Sequence, residues 1–240
     1  MKDKKIKIGV IGVGSLGQWH ARVYSELSSA ELVGIYDLDT KRATEVAERY
    51  NTKAYESIEQ LMEEAEAASV VVPSHLHQDI ACKLMQNNIH LLVEKPIAVT
   101  TAQAEAMVAA ATAHGLILQV GHVERFNPVM KSLQKILTNP RFIEAHRLAP
   151  YPPARKGACP RGTEVSVVLD LMIHDLEVIL HLVKSPVKEI RAVGVPILSP
   201  SEDISNVRLL FENGCVANVT TSRVSPETMR KIRIFQEDAY

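Results

Sequence analysis

Several things are scarce in this chain of 240 residues. It has three cysteines, one tryptophan and only 5% aromatic residues. The cysteines, at 82, 159 and 215, are an odd and widely spaced set, which supplies neither a disulfide framework nor a metal-ligand spacing. The expectation is idle thiols in a reducing compartment and no metal. No apolar run approaches the roughly 18–20 residues of a membrane span. Neither charge dominates: 27 basic against 28 acidic residues leave a formal net charge of -1, without the basic excess of a nucleic-acid binder. Met1-Lys-Asp-Lys-Lys runs straight into Ile6-Lys-Ile-Gly-Val-Ile, with no apolar leader or cleavage site, so a cytoplasmic location is expected. Internal repeats and low-complexity segments are also missing. What remains is ordinary: 46% hydrophobic and 23% charged residues, enough for one large domain or two small ones.

The first 120 residues alternate short apolar runs with helical patterns. The runs lie at 6–11, 32–36, 53–55, 69–72, 90–93 and 116–120, and the helical stretches at 15–28, 41–50, 57–65, 76–87 and 101–114. Such alternation predicts a parallel sheet with helices on both faces, and six strands complete a doubly wound dinucleotide fold. Beyond Gly121 the pattern changes. A helix is expected at 128–137, a strand at 141–148, a loop rich in proline and basic residues at 149–163, and one long apolar helix at 164–183. Strands follow at 187–197, 204–211, 215–223 and 229–235, with Asn213-Gly214 as a hairpin signal. The fold class is therefore α/β, an N-terminal Rossmann sheet followed by an α+β domain with a mostly antiparallel open sheet. The expected domains are 1–120 for NAD(P) and 121–240 for substrate and oligomerisation. The last strand-like run ends five residues before Tyr240, so a partner covers that edge or the second domain is incomplete.

Three groups of residues carry chemistry. Gly12-Val-Gly14-Ser15-Leu16-Gly17 follows a strand and opens a helix, where a tight turn, close backbone approach and free N–H groups suit a pyrophosphate. Asp37, twenty residues after Gly17, is placed to accept the adenosine ribose hydroxyls, which favours NAD, although Lys41 and Arg42 would tolerate a 2′-phosphate. Glu94-Lys95-Pro96 follows the fifth strand, where ligands bind in such sheets; the alternative is a solvated Glu-Lys pair. Asp170 and His174 share a face of the long apolar helix, a carboxylate beside an imidazole making a workable general base; the alternative is a surface stripe or a structural pair. Asp175 and Glu177 are expected to face outward, and His20 and His181 to be structural. Pro73, Ser74 and His77 border the nicotinamide half of a bound dinucleotide, with His75 a helix cap. Arg125 and Asn127 lie at the domain junction, Arg125 free to hold an anion or to pair with Glu124. Arg155 and Arg161 lie in a cationic loop that suits a substrate phosphate or is simply solvated.

Taken together, these segments resemble the glucose–fructose oxidoreductase, inositol dehydrogenase and MocA (Gfo/Idh/MocA) family over nearly the whole chain. Glu94-Lys95-Pro96 after a strand, combined with Asp170-x-x-x-His174, is the specific part of the match. The resemblance implies a two-domain enzyme that oxidises or reduces a sugar carbinol with NAD(P), with a second-domain sheet that often forms the oligomer interface. It implies that Lys95 hydrogen-bonds the reacting oxygen, that His174 is the acid/base, and that Asp170 supports it. Gly121-His-Val-Glu-Arg-Phe-Asn-Pro128 and Gly162-Thr-Glu-Val165 are similar to a branch acting on nucleotide sugars, the group of UDP-N-acetylglucosamine 3-dehydrogenases. The expected partners are thus a sugar or UDP-sugar and a second copy of the chain, with no nucleic acid and no membrane. Two other readings stay open: a non-catalytic dinucleotide sensor, and an imine or enoyl reductase of similar fold.

Overall fold

The computed structural model describes residues 4–154, 160 and 162–237. The chain divides into two compact units, Met1–Gly121 and His122–Tyr240.

In the first unit, strands and helices alternate: β1 (Ile6–Ile11), α1 (Gly17–Glu26), β2 (Ala30–Tyr36), α2 (Thr40–Arg49), β3 (Lys53–Ala54), α3 (Ile58–Glu64), β4 (Ala67–Val70), α4 (His77–Gln86), β5 (His90–Val93), α5 (Thr101–Ala113) and β6 (Leu118–Val120). Every pairing is parallel, in the order β3-β2-β1-β4-β5-β6. This is the doubly wound order, with its switch point between β1 and β4. Three helices start where polar side chains accept from backbone amides left open by the helix: Asp39 from Arg42, Ser57 from Gln60, and Thr100 from Gln103 in a full capping box. Ile11, Leu61, Val70, Leu84, Met85, Val93 and Met107 are fully buried among the core residues. Each side chain of this size contributes about 1.5–3 kcal/mol relative to an exposed position.

The second unit holds α6 (Pro128–Ile136), β7 (Phe142–Leu148), a π-helical turn (Val168–Met172) leading directly into α7 (Ile173–Val183), then β8 (Val187–Val195), β9 (Ile204–Phe211), β10 (Val216–Ser222) and β11 (Met229–Phe235). Its sheet runs β11-β7-β10-β9-β8. Only β7 and β10 pair in parallel; the other neighbours are antiparallel. Asn213-Gly214 makes the β9–β10 turn, Gly214 at a φ of 83°. The apolar core joins Ile143, Ala145, Met172, Ile179, Phe211, Ala217 and Val219. The long helix expected at 164–183 is therefore corrected. Regular helix begins at Ile173, and the five residues before it are wound as a π turn, an arrangement that recurs at functional sites. Among the described residues no helix is long and apolar enough to cross a membrane, and no group of His, Cys, Asp or Glu is arranged to hold a metal.

Candidate active site

The turn after β1 is built by steric necessity. Gly12 has a φ of 85°, and a β-carbon there would overlap the Val71 backbone. At Gly17 a β-carbon would overlap the Gly12 carbonyl, whose carbon lies 2.8 Å away. Gly14 differs, having no atom within 4 Å of such a carbon. Its face is open, as a passing pyrophosphate requires. Ser15 and Leu16 are exposed beside it. The start of α1 has neither a side-chain N-cap bond nor an acidic residue in its first turn, which suits an anion there.

Asp37, at the end of β2, is 8% exposed. It accepts from the Val13 amide at 2.7 Å, the Asp39 amide at 2.9 Å, and Arg42 Nη2 at 2.7 Å. Burial opposes its charge, yet the bonds from Arg42 and the two amides hold the carboxyl below its ordinary range. Arg42 is 41% exposed, so this pair is open to solvent on the arginine side. The glycine turn, open at Gly14, and this carboxylate fit a dinucleotide.

Glu94-Lys95-Pro96 follows β5, with a cis Lys95–Pro96 peptide. Lys95 is half-buried. Two residues expected at the cofactor, Glu94 and His77, also hold bonds within the protein. Glu94 points inward: it is 8% exposed, accepts from the Lys95 amide at 3.3 Å, and meets His20 Nε2 at 3.0 Å. Burial raises its pKa, but His20 and the Lys95 amide outweigh this and leave it lowered. His20 reaches Ser69 Oγ through Nδ1 at 3.1 Å, and Tyr24 holds the same hydroxyl at 2.7 Å. This relay from α1 to the Lys95 segment was missed because His20 reads as packing. Its spacing from Ser69 and Glu94, 49 and 74 residues, leaves no local signal. His77 is 1% exposed, with Nδ1 2.9 Å from the Pro96 carbonyl oxygen and Nε2 2.9 Å from that of Val72. Both ring nitrogens thus lie against backbone carbonyls on either side of the Lys95 segment. Pro73 is exposed and Ser74 half-buried at the start of a short 3-10 turn. His75 lies in that turn and caps no helix.

In the second unit, Asp170 lies in the π turn and His174 in the first turn of α7; both are half-buried. The four-residue spacing therefore does not translate into ordinary α-helical stacking. Asp175 and Glu177 are not outward-facing. They are 8% and 9% exposed, because arginines distant in sequence meet them. Arg147 donates to Asp175 through Nε at 2.8 Å and Nη2 at 3.0 Å, and lies 3.6 Å from Glu124. Burial works against the charge on Arg147, but Asp175 raises its pKa regardless. Arg125 pairs with Glu177, Nε to Oε1 at 2.7 Å, and not with Glu124. Asn127 caps α6, its side-chain oxygen accepting from the Val129 amide at 3.0 Å. His181 is held by Gln134. Arg155 and Arg161 lie outside the described residues.

Comparison with known proteins decides the family. Residues 6–122 match the Gfo/Idh/MocA oxidoreductase family with its NAD-binding Rossmann fold, and residues 134–239 match the family's C-terminal domain. The chain belongs to the Gfo/Idh/MocA oxidoreductase family. It is 38% identical over 98% of its length to a UDP-N-acetylglucosamine 3-dehydrogenase from Acidithiobacillus ferrooxidans, spanning 72% of that protein. The solved structure of that dehydrogenase matches with a TM-score of 0.89 at 37% identity, over 98% of this chain and 75% of that one. A myo-inositol 2-dehydrogenase from Thermotoga maritima is 26% identical over 91% of this chain and 69% of its own length. The Gfo/Idh/MocA chain described here is thus an oxidoreductase with an NAD-binding first domain.

Proposed function

We propose that the chain is a cytoplasmic NAD-dependent dehydrogenase that oxidises a ring hydroxyl of a nucleotide sugar, of the UDP-N-acetylglucosamine class. The observation that carries this reading is the 38% identity to a UDP-N-acetylglucosamine 3-dehydrogenase across 98% of the chain, with Lys95, Asp170 and His174 all present. The first unit binds the cofactor: the turn Gly12–Gly17 takes the pyrophosphate and Asp37 the ribose. Bound NAD supplies the hydride acceptor. Lys95 donates a hydrogen bond to the reacting oxygen and stabilises the charge that develops there, an effect worth about 10²–10³ in rate for a single well-placed donor. His174 takes the hydroxyl proton as the carbinol carbon loses hydride and becomes a carbonyl, and Asp170 orients the imidazole. Arg155 and Arg161 meet the diphosphate, Arg125 borders the sugar, and a second copy packs on the second-unit sheet.

The test is NADH formation by the purified chain with NAD and a panel of UDP-sugars, free sugars and inositols. The reading expects turnover with a UDP-N-acetylhexosamine and its loss in Lys95→Ala. Silence across the panel beside intact NADH binding overturns it in favour of a dinucleotide sensor.

A further inference from the structure

Among the described residues, the most extensively bonded buried side chain of the second unit lies outside the residues assigned so far. Arg223 follows β10 and is 2% exposed. Its Nε donates to Asp203 Oδ1 at 2.7 Å. Its Nη1 donates to two carbonyls, Gly162 at 2.7 Å and Val165 at 2.9 Å. Its Nη2 reaches Ser199 Oγ and Ser201 Oγ, each at 2.9 Å, and the Glu202 carbonyl at 3.1 Å. Asp203, 0% exposed, is pinned in turn by the amides of Ile197, Leu198 and Ser199 at 2.6–2.9 Å. Two more bonds tie the same segment: Ser201 Oγ to the Val165 carbonyl at 3.2 Å, and the Val167 amide to the Glu202 carbonyl at 2.9 Å.

The gripped segment abuts Asp170. Gly162 has a φ of 83°, and a β-carbon there would overlap Asp170 Oδ2 and stand 2.7 Å from its Cγ. The backbone that Arg223 holds is thus the wall against which the Asp170 carboxylate rests. A buried ion pair is a weak stabiliser, and apolar residues of similar volume often replace one without loss. Apolar residues cannot donate to the Gly162 and Val165 carbonyls, so a guanidinium here controls position.

We propose that Arg223, anchored by Asp203, is a positioning residue: it fixes Gly162–Val165 against Asp170 and so sets the carboxylate that orients His174. This rests on the reading of Asp170 and His174 as the acid–base pair. Misplacement of a catalytic group by about 1 Å can cost as much as 10²-fold in rate.

The test compares Arg223→Met, Arg223→Lys, Gly162→Ala and Asp170→Asn in the full chain, with NAD and the UDP-sugar that the starting protein oxidises. Arg223→Met is expected to lower kcat about tenfold or more, with NADH affinity within twofold of the starting protein. The solvent deuterium isotope effect on kcat is expected to rise as proton transfer slows, a change that simple loss of folded protein does not produce. Gly162→Ala keeps the guanidinium but displaces the carboxylate, and reproduces both changes. Arg223→Lys, retaining a cation with three donors, recovers part of the rate. If Arg223→Met fails to fold, Arg223→Lys and Gly162→Ala decide together. A normal kcat and isotope effect in Gly162→Ala, beside an impaired Asp170→Asn, overturns the positioning role by itself. A fully active Asp170→Asn overturns the acid–base reading, and the role of Arg223 with it.

Discussion

Replacing Gly14 and Gly17 by alanine, one at a time, should damage different things. At Gly17 the new methyl collides with the Gly12 carbonyl, whose carbon is 2.8 Å from it. The obstacle is backbone, so the start of α1 must retreat by about 1 Å or more, which places the cost near the upper part of the roughly 1–3 kcal/mol range for overpacking. Loss of glycine's freedom in the unfolded chain returns about 0.4–1 kcal/mol. A net loss of about 1–2 kcal/mol lowers the melting temperature of a unit this size by roughly 5 °C. At Gly14 the methyl meets no atom within 4 Å, and the residue does not have a positive φ. Its melting temperature should stay level or rise slightly, by the same unfolded-state effect of under about 1 kcal/mol. The methyl then stands where a pyrophosphate must approach, and NADH affinity falls on the order of tenfold or more, equivalent to about 1.4 kcal/mol. Thermal melts with fluorescence titration of NADH measure both quantities. Normal NADH affinity in Gly14→Ala, or a parallel loss of stability in both variants, would refute the argument.

Other outcomes follow from the same contacts. Lys95→Ala should abolish turnover while NADH affinity, measured by titration, stays near that of the starting protein. Asp37→Ser releases Arg42 from its 2.7 Å ion pair, and the ratio of NADP to NAD affinity should rise about tenfold or more. Arg147→Met leaves buried Asp175 unpaired and should cost about 3–5 kcal/mol in denaturant unfolding, whereas Arg147→Met with Asp175→Leu should recover most of that loss. Burial works against the charge on Asp203, but Ser199, Arg223 and the Leu198 amide hold its carboxyl well below the usual range. Because its pKa is depressed in the folded state, its contribution is complete above the unfolded value of about 3.9 and is lost progressively as pH falls from there through the lower folded value. The part of the melting temperature that depends on Asp203 should therefore decline only below about pH 4, so that the acid limb is less steep in Asp203→Asn.

What the sequence disclosed, and what it hid, follows from where each signal resides. Runs such as Ile6–Ile11 and His90–Val93 are strands because they are apolar and locally bounded, and the structure has them at those residues. The glycine turn is legible because its three glycines fall within six residues directly after a strand, although the contact that makes Gly12 necessary comes from the distant Val71 backbone. Asp175 and Glu177 were misplaced because a carboxylate in an apolar helix is outward-facing by default. Their burial depends on Arg147 and Arg125, 28 and 52 residues away. The inward turn of Glu94 likewise needs His20, which no periodicity marks. The π turn at Val168–Met172 changes the phase between Asp170 and His174 without changing their spacing in sequence. Asn127 followed by Pro128 is a helix-start pattern, and the structure has Asn127 capping α6.

The central claim is that this chain moves hydride from a nucleotide-sugar carbinol to NAD. Incubation of the purified chain with NAD and UDP-N-acetylglucosamine deuterated at C3, followed by mass spectrometry of the reduced cofactor, tests it most directly. The account predicts NADH carrying one deuterium and a UDP-sugar lighter by one deuterium and one proton. Reduced cofactor without deuterium would place the oxidation at another carbon, and no reduced cofactor from this or any other UDP-sugar would contradict the claim.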